Sequence, residues 1–289
     1  MDISSVIKLM RPHQYVKNIF IFLPIFFAMR ITDVTALTHA FIAFIAFSLV
    51  SSSIYVLNDY FDIEADKIHP KKKNRPLASG AISKSEAKKI MLALFSLGIL
   101  IILSISLKGA LILAFYALMN VAYSIKIKHV SIVDMVTIAV GFVLRLFVGS
   151  AVTGIVLSKW IVIIVFLLAL FLALAKRRDD VLIFLKDGTK ARKVIENYNL
   201  QFLDTAMSIM ASVVIVSYLL YVTSPEVVER LHSDYLYLTA FFVILGVMRY
   251  LQIAFVFEDS GAPTKVVLKD NFIKVTIIGW IATFAWILY

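Results

Sequence analysis

The sequence predicts an all-α polytopic membrane protein with about nine transmembrane helices. Hydrophobic residues make up 61% of the 289-residue chain. Charged residues make up 17%, which is below the roughly 25% of ordinary soluble domains. The apolar residues fall into long runs separated by polar stretches of no more than about 30 residues. We therefore expect a single transmembrane domain over residues 1–289.

Hydropathy places the nine predicted spans in order along the chain. They cover residues 19–30, 36–57, 88–106, 109–125, 132–152, 159–175, 205–223, 235–256 and 272–288. The first 18 residues are polar and basic, and no small-residue cleavage site follows them. We therefore expect no signal peptide. The chain contains no cysteine, which excludes disulfides and thiolate metal sites.

The distribution of basic residues predicts the orientation of the chain in the membrane. Of the 29 Lys and Arg residues, four lie in loops on one side and two lie inside spans. The other 23 lie on the side that holds the N-terminus and the loop at 58–87. We expect this side to be the cytoplasmic face of the plasma membrane, the C-terminus to be outside, and function to reside in the long cytoplasmic loops. The same asymmetry explains the net charge of +10 without a nucleic-acid partner.

An acidic cluster follows the second predicted span. Asn58, Asp62 and Asp66 are spaced i, i+4 and i+8, so one face of a continuing helix carries all three, with Asp59 beside them. Like charges at this spacing repel each other, and a divalent cation removes the conflict. Oxygen ligands without His or Cys suit Mg²⁺. These four residues are therefore predicted to bind Mg²⁺, and the alternative is a solvated helix end with incidental acids.

A cationic turn, HPKKKNRP at residues 69–76, follows the acids. Its two prolines stop the helix, and four cations within five residues offer a site for phosphate. The alternative is a polybasic patch attracted to anionic lipid headgroups. Beside a carboxylate–metal site, a phosphorylated substrate is the better interpretation, with Lys72 and Arg75 on the donor phosphates.

At these residues the chain resembles the UbiA superfamily of membrane transferases, whose NDxxDxxxD motif follows the second span. Within it, the chain is most similar to the decaprenyl-phosphate phosphoribosyltransferase branch. The similarity is strongest from residue 11 to about 180. The supporting motifs are RPxQxxKN at 11–18, HPxKxxRPxAxG at 69–80, YSxxxKH at 123–129 with a following Asp134, GFxxRxxxG at 141–149, and KR at 176–177.

The resemblance implies a UbiA-like bundle with a cytoplasm-facing active-site cavity. It implies Mg²⁺-dependent transfer of phosphoribose from 5-phosphoribosyl 1-diphosphate to a polyprenyl phosphate, and it leaves the oligomeric state open. Lys17 and Lys128 would hold the phosphates in line, and Tyr123 or Asp134 would hold ribose hydroxyls, unless Asp134 ligates the metal. The candidate catalytic residues are Asp59, Asp62, Asp66 and Lys17. The candidate substrate-binding residues are Lys17, Asn18, Lys72, Arg75, Tyr123, Lys126, Lys128, Asp134 and Arg145.

Two alternatives to this function remain. UbiA-type prenyltransferases, which use a prenyl diphosphate donor, usually carry a second motif, DxxxD, after the fourth span. Here Asp134 stands in that region without a second acid, and Lys126 and Lys128 precede it. A transporter would place ionisable groups near the bilayer midplane, where only Arg145 is expected. Arg145 itself is predicted either to make a lipid-phosphate or cavity contact or to form a structural ion pair with Asp134 or another helix.

Overall fold

The computed structural model describes residues 2–68, 72–188 and 193–288. The regular secondary structure of this described part is entirely helical, with no β-strand. The chain divides into two compact units. The first comprises Met1–Lys128 and Gly141–Leu157, and the second comprises His129–Val140 and Ser158–Tyr289. The predicted single domain stays a prediction.

The first unit is built from six α-helices and the later part of a seventh. These are α1 (Ile3–Met10), α2 (Leu23–Phe27), α3 (Val34–Phe61), α4 (Ile63–Ile68), α5 (Lys84–Leu103), α6 (Leu107–Ile125) and α7 (Val133–Thr153). Short 3₁₀ turns follow α4 and α6, at Lys72–Asn74 and Ile127–His129. A longer 3₁₀ helix, Pro12–Phe22, joins α1 to α2.

Side-chain caps define where these helices begin. The Asp33 carboxylate accepts a hydrogen bond from the Ala36 N–H at 2.9 Å, at the start of α3. Ser83 and Glu86 form a capping box at the start of α5, in which each side chain accepts from the other's backbone N–H.

A Cβ at Gly98 would lie 2.7 Å from the Ala46 carbonyl oxygen. Glycine therefore permits the close approach of α5 to α3.

Seven helices in the described part are long and apolar enough to cross a membrane. They are Val34–Phe61, Leu107–Ile125, Val133–Thr153, Lys159–Lys186, Leu200–Thr223, Asp234–Phe255 and Asn271–Leu288. The predicted count of nine is not confirmed. Predicted span 19–30 is not a continuous α-helix, because 3₁₀ geometry runs to Phe22 and α2 ends at Phe27. Predicted span 88–106 is α5, a 20-residue helix with Lys84, Glu86, Lys88 and Lys89 in its first two turns.

The second unit contains the start of α7 and six further α-helices. These are α8 (Lys159–Asp187), α9 (Leu200–Thr223), α10 (Pro225–Leu231), α11 (Ala240–Phe255), α12 (Pro263–Lys269) and α13 (Asn271–Leu288). Its apolar core includes buried Phe171, Met207 and Ile253. Arg178 of α8 connects to α9 and α11, donating to the Asp204 carboxylate at 2.6 Å and to the Ala254 carbonyl at 2.7 Å. Glycine at position 188, with φ of +66°, ends α8 in the left-handed region.

Candidate active site

The acidic cluster lies in the first unit, where α3 passes into α4. The helical path is interrupted at Asp62, whose φ is −96° and ψ is 6°. Hydrogen bonds continue across the break, from the Asp62 N–H to the Asn58 carbonyl at 3.0 Å and from the Asp66 N–H to the Asp62 carbonyl at 2.8 Å. The predicted i, i+4, i+8 spacing of these residues is therefore retained with one distorted residue in the middle.

Two acids of this cluster are buried and share one cation. Asp59 is 2% exposed and Asp66 is 3% exposed. Nη1 of Arg75 donates to Oδ1 of Asp59 at 3.0 Å and to Oδ2 of Asp66 at 2.7 Å. A second guanidinium, that of Arg11, also donates to Oδ1 of Asp59 and lies 5.5 Å from the ring centre of Tyr55. The two carboxylates are thus held around positive charge.

The other two members of the cluster face the end of α6. Nζ of Lys128 donates to Oδ1 of Asp62 at 2.9 Å, and the Ser124 hydroxyl donates to Oδ1 of Asn58 at 2.6 Å. The Asp62 side chain is 39% exposed and that of Lys128 is 15% exposed. Residues 58–66 therefore meet cations or hydroxyls from three separate parts of the first unit.

These oxygens fit Mg²⁺ by chemistry and by charge. The described residues contain no group of three or more His, Cys, Asp or Glu side chains arranged to hold a metal on their own. Mg²⁺ does not need one, because it is usually held by one or two carboxylates together with water and substrate phosphates. Asp59 and Asp66 already flank a cationic nitrogen of Arg75. Asp62 and Asn58 supply further oxygen donors beside them.

The remaining predicted site residues of the first unit lie on three elements. Lys17 is half-buried and Asn18 is buried on the 3₁₀ helix Pro12–Phe22. Lys72 is half-buried in the turn that precedes Arg75. Tyr123 is half-buried near the end of α6, and Lys126 is exposed where α6 ends. The other residues of the predicted cationic turn, His69, Pro70 and Lys71, lie outside the described residues.

Arg145 is buried inside α7, with 4% of its surface exposed. Its guanidinium donates to the Asn18 side-chain oxygen at 2.9 Å, the Gly141 carbonyl at 2.6 Å and the Tyr116 hydroxyl at 3.2 Å. It also lies 4.7 Å from the ring centre of Phe47. Among the described residues, no carboxylate lies within ion-pair distance of Arg145.

Asp134 belongs to the second unit and is completely buried. Its carboxylate accepts hydrogen bonds from Nε of Arg177 at 2.6 Å and from the Tyr198 hydroxyl at 3.0 Å. Arg177 also donates to Asp180 at 2.6 Å. The Tyr198 hydroxyl accepts from the backbone N–H of Ile132 at 2.6 Å. Burial raises the pKa of Tyr198 to about 12, so its phenol remains a hydrogen-bond donor at neutral pH.

Four residues in these two clusters were not among the predicted site residues. Arg11 begins the RPxQxxKN motif, Ser124 belongs to YSxxxKH, and Arg177 is the second residue of the KR pair. Their positions in these motifs could therefore have identified them as site residues. Tyr198 lies in a polar loop between predicted spans, and nothing in its sequence context distinguishes it from other tyrosines.

The sequence profile of the UbiA prenyltransferase family matches residues 19–274. The chain belongs to this family. UbiA family membership accounts for an enzyme of the transferase class in a multi-pass membrane fold. It also agrees with the position of the acidic cluster at the end of a long apolar helix.

Curated relatives and solved structures extend the UbiA comparison over nearly the whole chain. A decaprenyl-phosphate phosphoribosyltransferase from Mycolicibacterium smegmatis is 29% identical over 301 residues, covering 99% of this chain and 93% of that protein. A protein of the same name from Mycobacterium tuberculosis is 28% identical, covering 97% and 93%. A UbiA homolog from Archaeoglobus fulgidus, solved bound to DMAPP and Mg²⁺, superposes with a TM-score of 0.74 at 18% identity, covering 98% of this chain and 99% of that one. This last similarity establishes the UbiA fold.

Proposed function

We propose that this protein transfers 5-phosphoribose from 5-phosphoribosyl 1-diphosphate to a polyprenyl phosphate and releases diphosphate. The proposal includes a requirement for Mg²⁺ and a site at the cytoplasmic face of the plasma membrane. The observation that carries it is the cation shared by two buried carboxylates, Arg75 between Asp59 and Asp66. The names of the relatives that match over nearly the full chain support the choice of donor.

The reaction exchanges one phosphate ester of the anomeric carbon for another. The bond between the anomeric carbon and the diphosphate oxygen breaks, and a bond to an oxygen of the acceptor phosphate forms. Negative charge develops on the departing diphosphate, so the residues around it must supply positive charge. The acceptor phosphate is already anionic and requires no strong general base.

In this proposal the acidic cluster binds the metal, and the cations around it bind the phosphates of the donor. When bound, Mg²⁺ would supply charge that stabilises the leaving diphosphate, and its protein ligands would be Asn58, Asp59, Asp62 and Asp66. Arg75 is 28% exposed and Arg11 is 21% exposed. Both can therefore turn from a carboxylate to a donor phosphate, which a planar guanidinium binds bidentately. Lys72, in the turn before Arg75, would bind the same donor.

The acceptor phosphate requires cations from other elements. Lys128 follows α6 and already contacts Asp62, so it lies beside the proposed metal ligands. Lys17 lies on the 3₁₀ helix next to Asn18. We assign these two lysines to holding the acceptor phosphate in line with the anomeric carbon. Tyr123, one residue from the Asn58 partner Ser124, is assigned to a ribose hydroxyl, and Lys126 to the phosphates.

Labelled phosphoribosyl diphosphate, incubated with polyprenyl phosphate, Mg²⁺ and purified protein in detergent, tests the proposal. We expect label in the lipid fraction and release of diphosphate, and we expect chelation of Mg²⁺ to stop both. The absence of labelled lipid from an enzyme that is active on another substrate would overturn the proposal. Glu64→Gln is the matched control and should leave label transfer unchanged. Glu64 is an acid two residues from Asp62, and the Glu64 side chain is 76% exposed.

A prenyl diphosphate donor is the second candidate. It is favoured by UbiA homologs of the same fold that were solved bound to DMAPP or GPP with Mg²⁺. The same carboxylates would serve that donor, because both donors present a diphosphate. Turnover with a prenyl diphosphate and an aromatic or lipid acceptor, without turnover of phosphoribosyl diphosphate, would select this candidate.

A further inference from the structure

A polar stripe runs along α3 and across the break at Asp62 into α4, and it connects the acidic cluster with the apolar part of α3. Its six members are separated by alternating steps of four and three residues, so they lie on one helix face. They are Ser48, Ser52, Tyr55, Asp59, Asp62 and Asp66. At 1.5 Å per residue the stripe is about 27 Å long. The buried hydroxyls within α3, those of Ser48 and Ser52, require hydrogen-bond partners.

The partners of Ser48 and Ser52, in the deeper half of this stripe, come from the 3₁₀ helix Pro12–Phe22 and from Met10, the last residue of α1. The Tyr15 hydroxyl lies 2.8 Å from the Ser52 hydroxyl, and Ser52 donates to the Met10 carbonyl at 2.8 Å. One turn deeper, the Asn18 side-chain nitrogen donates to the Ser48 hydroxyl at 2.9 Å. Two hydrogen-bonded points, one helical turn apart, therefore fix the 3₁₀ helix to α3.

The later part of α7 holds the same 3₁₀ helix from another side. Arg145 donates to the Asn18 side-chain oxygen at 2.9 Å, so both polar atoms of the Asn18 amide are engaged. One turn further, a Cβ at position 149 would lie 2.1 Å from the Ile21 carbonyl oxygen. Only glycine permits this approach. Runs of 3₁₀ helix longer than three or four residues are uncommon. These contacts stabilise a 3₁₀ helix that is 11 residues long.

The start of this segment lies at the acidic cluster. Arg11, which precedes the 3₁₀ helix, has φ of +55° in the left-handed region and donates to Asp59. Such a backbone conformation is disfavoured for a residue with a Cβ and persists only where the surroundings hold it. Displacement of the 3₁₀ helix would therefore move Arg11 away from Asp59, and Lys17, which lies on the displaced helix, would move with it.

We propose that Arg145 is a positioning residue that acts through Asn18. It holds the 3₁₀ helix on α3 so that Arg11, at the start of that helix, is placed at Asp59 of the acidic cluster, and it does not contact the substrate. Of the two predicted roles of Arg145, a substrate contact and a structural role, this proposal adopts the structural one. Its effect on turnover rests on the proposed function, whereas its effect on the position of the segment does not.

A double-mutant cycle combined with a distance measurement tests this proposal. Because the chain has no cysteine, Ile19→Cys and Phe41→Cys can carry two spin labels, at positions that are 51% and 56% exposed. We expect Arg145→Met and Asn18→Leu each to broaden the distance distribution. We also expect each to lower kcat/KM on the order of 10²-fold, as displacements of about 1 Å do in active sites. The double variant should be no worse than the more damaging single variant.

Two results would overturn the proposal. The first is an unchanged distance distribution in Arg145→Met together with a raised KM for the lipid alone, which indicates a direct substrate contact. The second is additive losses in the double variant. Ser48→Ala, which removes only the second partner of Asn18, gives a milder version of the same test if Arg145→Met does not fold.

Arg30→Met is the matched control, because Arg30 is an exposed arginine of the same unit that pairs with Asp33. It should leave the kinetics and the distance distribution unchanged. If no phosphoribosyl transfer occurs even in the unsubstituted protein, the proposed function fails. The distance measurement still decides whether Arg145 holds the segment.

Discussion

The two units use the same kind of ion pair in opposite environments. In the first, Asp59 and Asp66 are buried, but their partner Arg75 is 28% exposed. In the second, the side chains of Asp134 and Arg177 are both 0% exposed. A cation at a solvent-accessible position can exchange a carboxylate for a ligand phosphate. A sealed pair cannot exchange without leaving a buried charge unpaired, which is strongly destabilising. We therefore propose that the first cluster is a binding site and that the second is a structural element.

The largest expected effect on turnover comes from a substitution in the acidic cluster of the first unit. Asp62→Asn removes one charge from the proposed metal site at a side chain that is 39% exposed. We expect turnover to fall about 10³-fold, because charge on the leaving diphosphate is no longer balanced. The thermal midpoint should remain near that of the unsubstituted protein. Radiolabel transfer and thermal unfolding in detergent measure the two quantities, and substantial residual activity would remove Asp62 from the metal site.

The sealed pair should show the reverse pattern. Arg177→Met leaves the Asp134 carboxylate buried without its cation, and we expect a loss of about 3–5 kcal/mol in the free energy of unfolding. Protein that still folds should retain its donor KM. Arg249→Met is the control, because the Arg249 and Asp270 side chains of that ion pair are more exposed, at 25% and 16%. This substitution should lower the free energy of unfolding by less. A folded but inactive Arg177→Met variant would place the second cluster in the chemistry.

A smaller effect separates donor binding from general attraction to lipid. Arg75→Ala should raise the KM for the donor about tenfold or more and change the KM for the polyprenyl phosphate much less, because a bidentate phosphate contact is lost. Steady-state kinetics with each substrate varied in turn give both constants. Lys73→Ala removes an exposed cation from the same turn. Equal effects of the two substitutions would identify the turn as a polybasic membrane contact.

The smallest predicted effect concerns the hydroxyl that completes the sealed cluster. Tyr198→Phe removes hydrogen bonds to Asp134 and Ile132, at a cost of about 1–2 kcal/mol. The pKa of Tyr198 is raised to about 12 in the folded protein, whereas a tyrosine in the unfolded chain ionises near pH 10. Between these two pH values the phenol is neutral in the folded state and ionised in the unfolded state. The stability difference between the two proteins should be constant below pH 10 and shrink from pH 10 to 12. Thermal unfolding across this range measures it.

Local patterns predicted much of the first unit. The spacing of Asn58, Asp62 and Asp66 indicated one helix face, and their neighbours Arg75 and Lys128 were identified from charge and motif. The partners could not be paired from the sequence, because Arg11 and Asp59 are 48 residues apart in the chain. Such contacts depend on packing, which hydropathy does not report.

Two features depended on tertiary contacts and could not be predicted from local pattern. Residues 19–30 are apolar enough to resemble a short span, yet contacts with α3 and α7 hold most of them in 3₁₀ geometry or a short helix. The sealed pair was also missed, since Asp134 and Arg177 lie on different helices 43 residues apart. A charged residue near the end of a predicted span gives no sign of whether folding will bury it.

The 3₁₀ geometry of residues 12–22 also changes how far the start of the chain reaches. A 3₁₀ helix rises about 2.0 Å per residue, against 1.5 Å for an α-helix. The contour of Pro12–Phe22 followed by Leu23–Phe27 is therefore about 30 Å, close to the hydrocarbon thickness of a bilayer. Sixteen residues thus have the length that α-helical geometry would need about 20 to provide. A short apolar run such as residues 19–30 can therefore belong to a segment whose contour is as long as the bilayer core is thick.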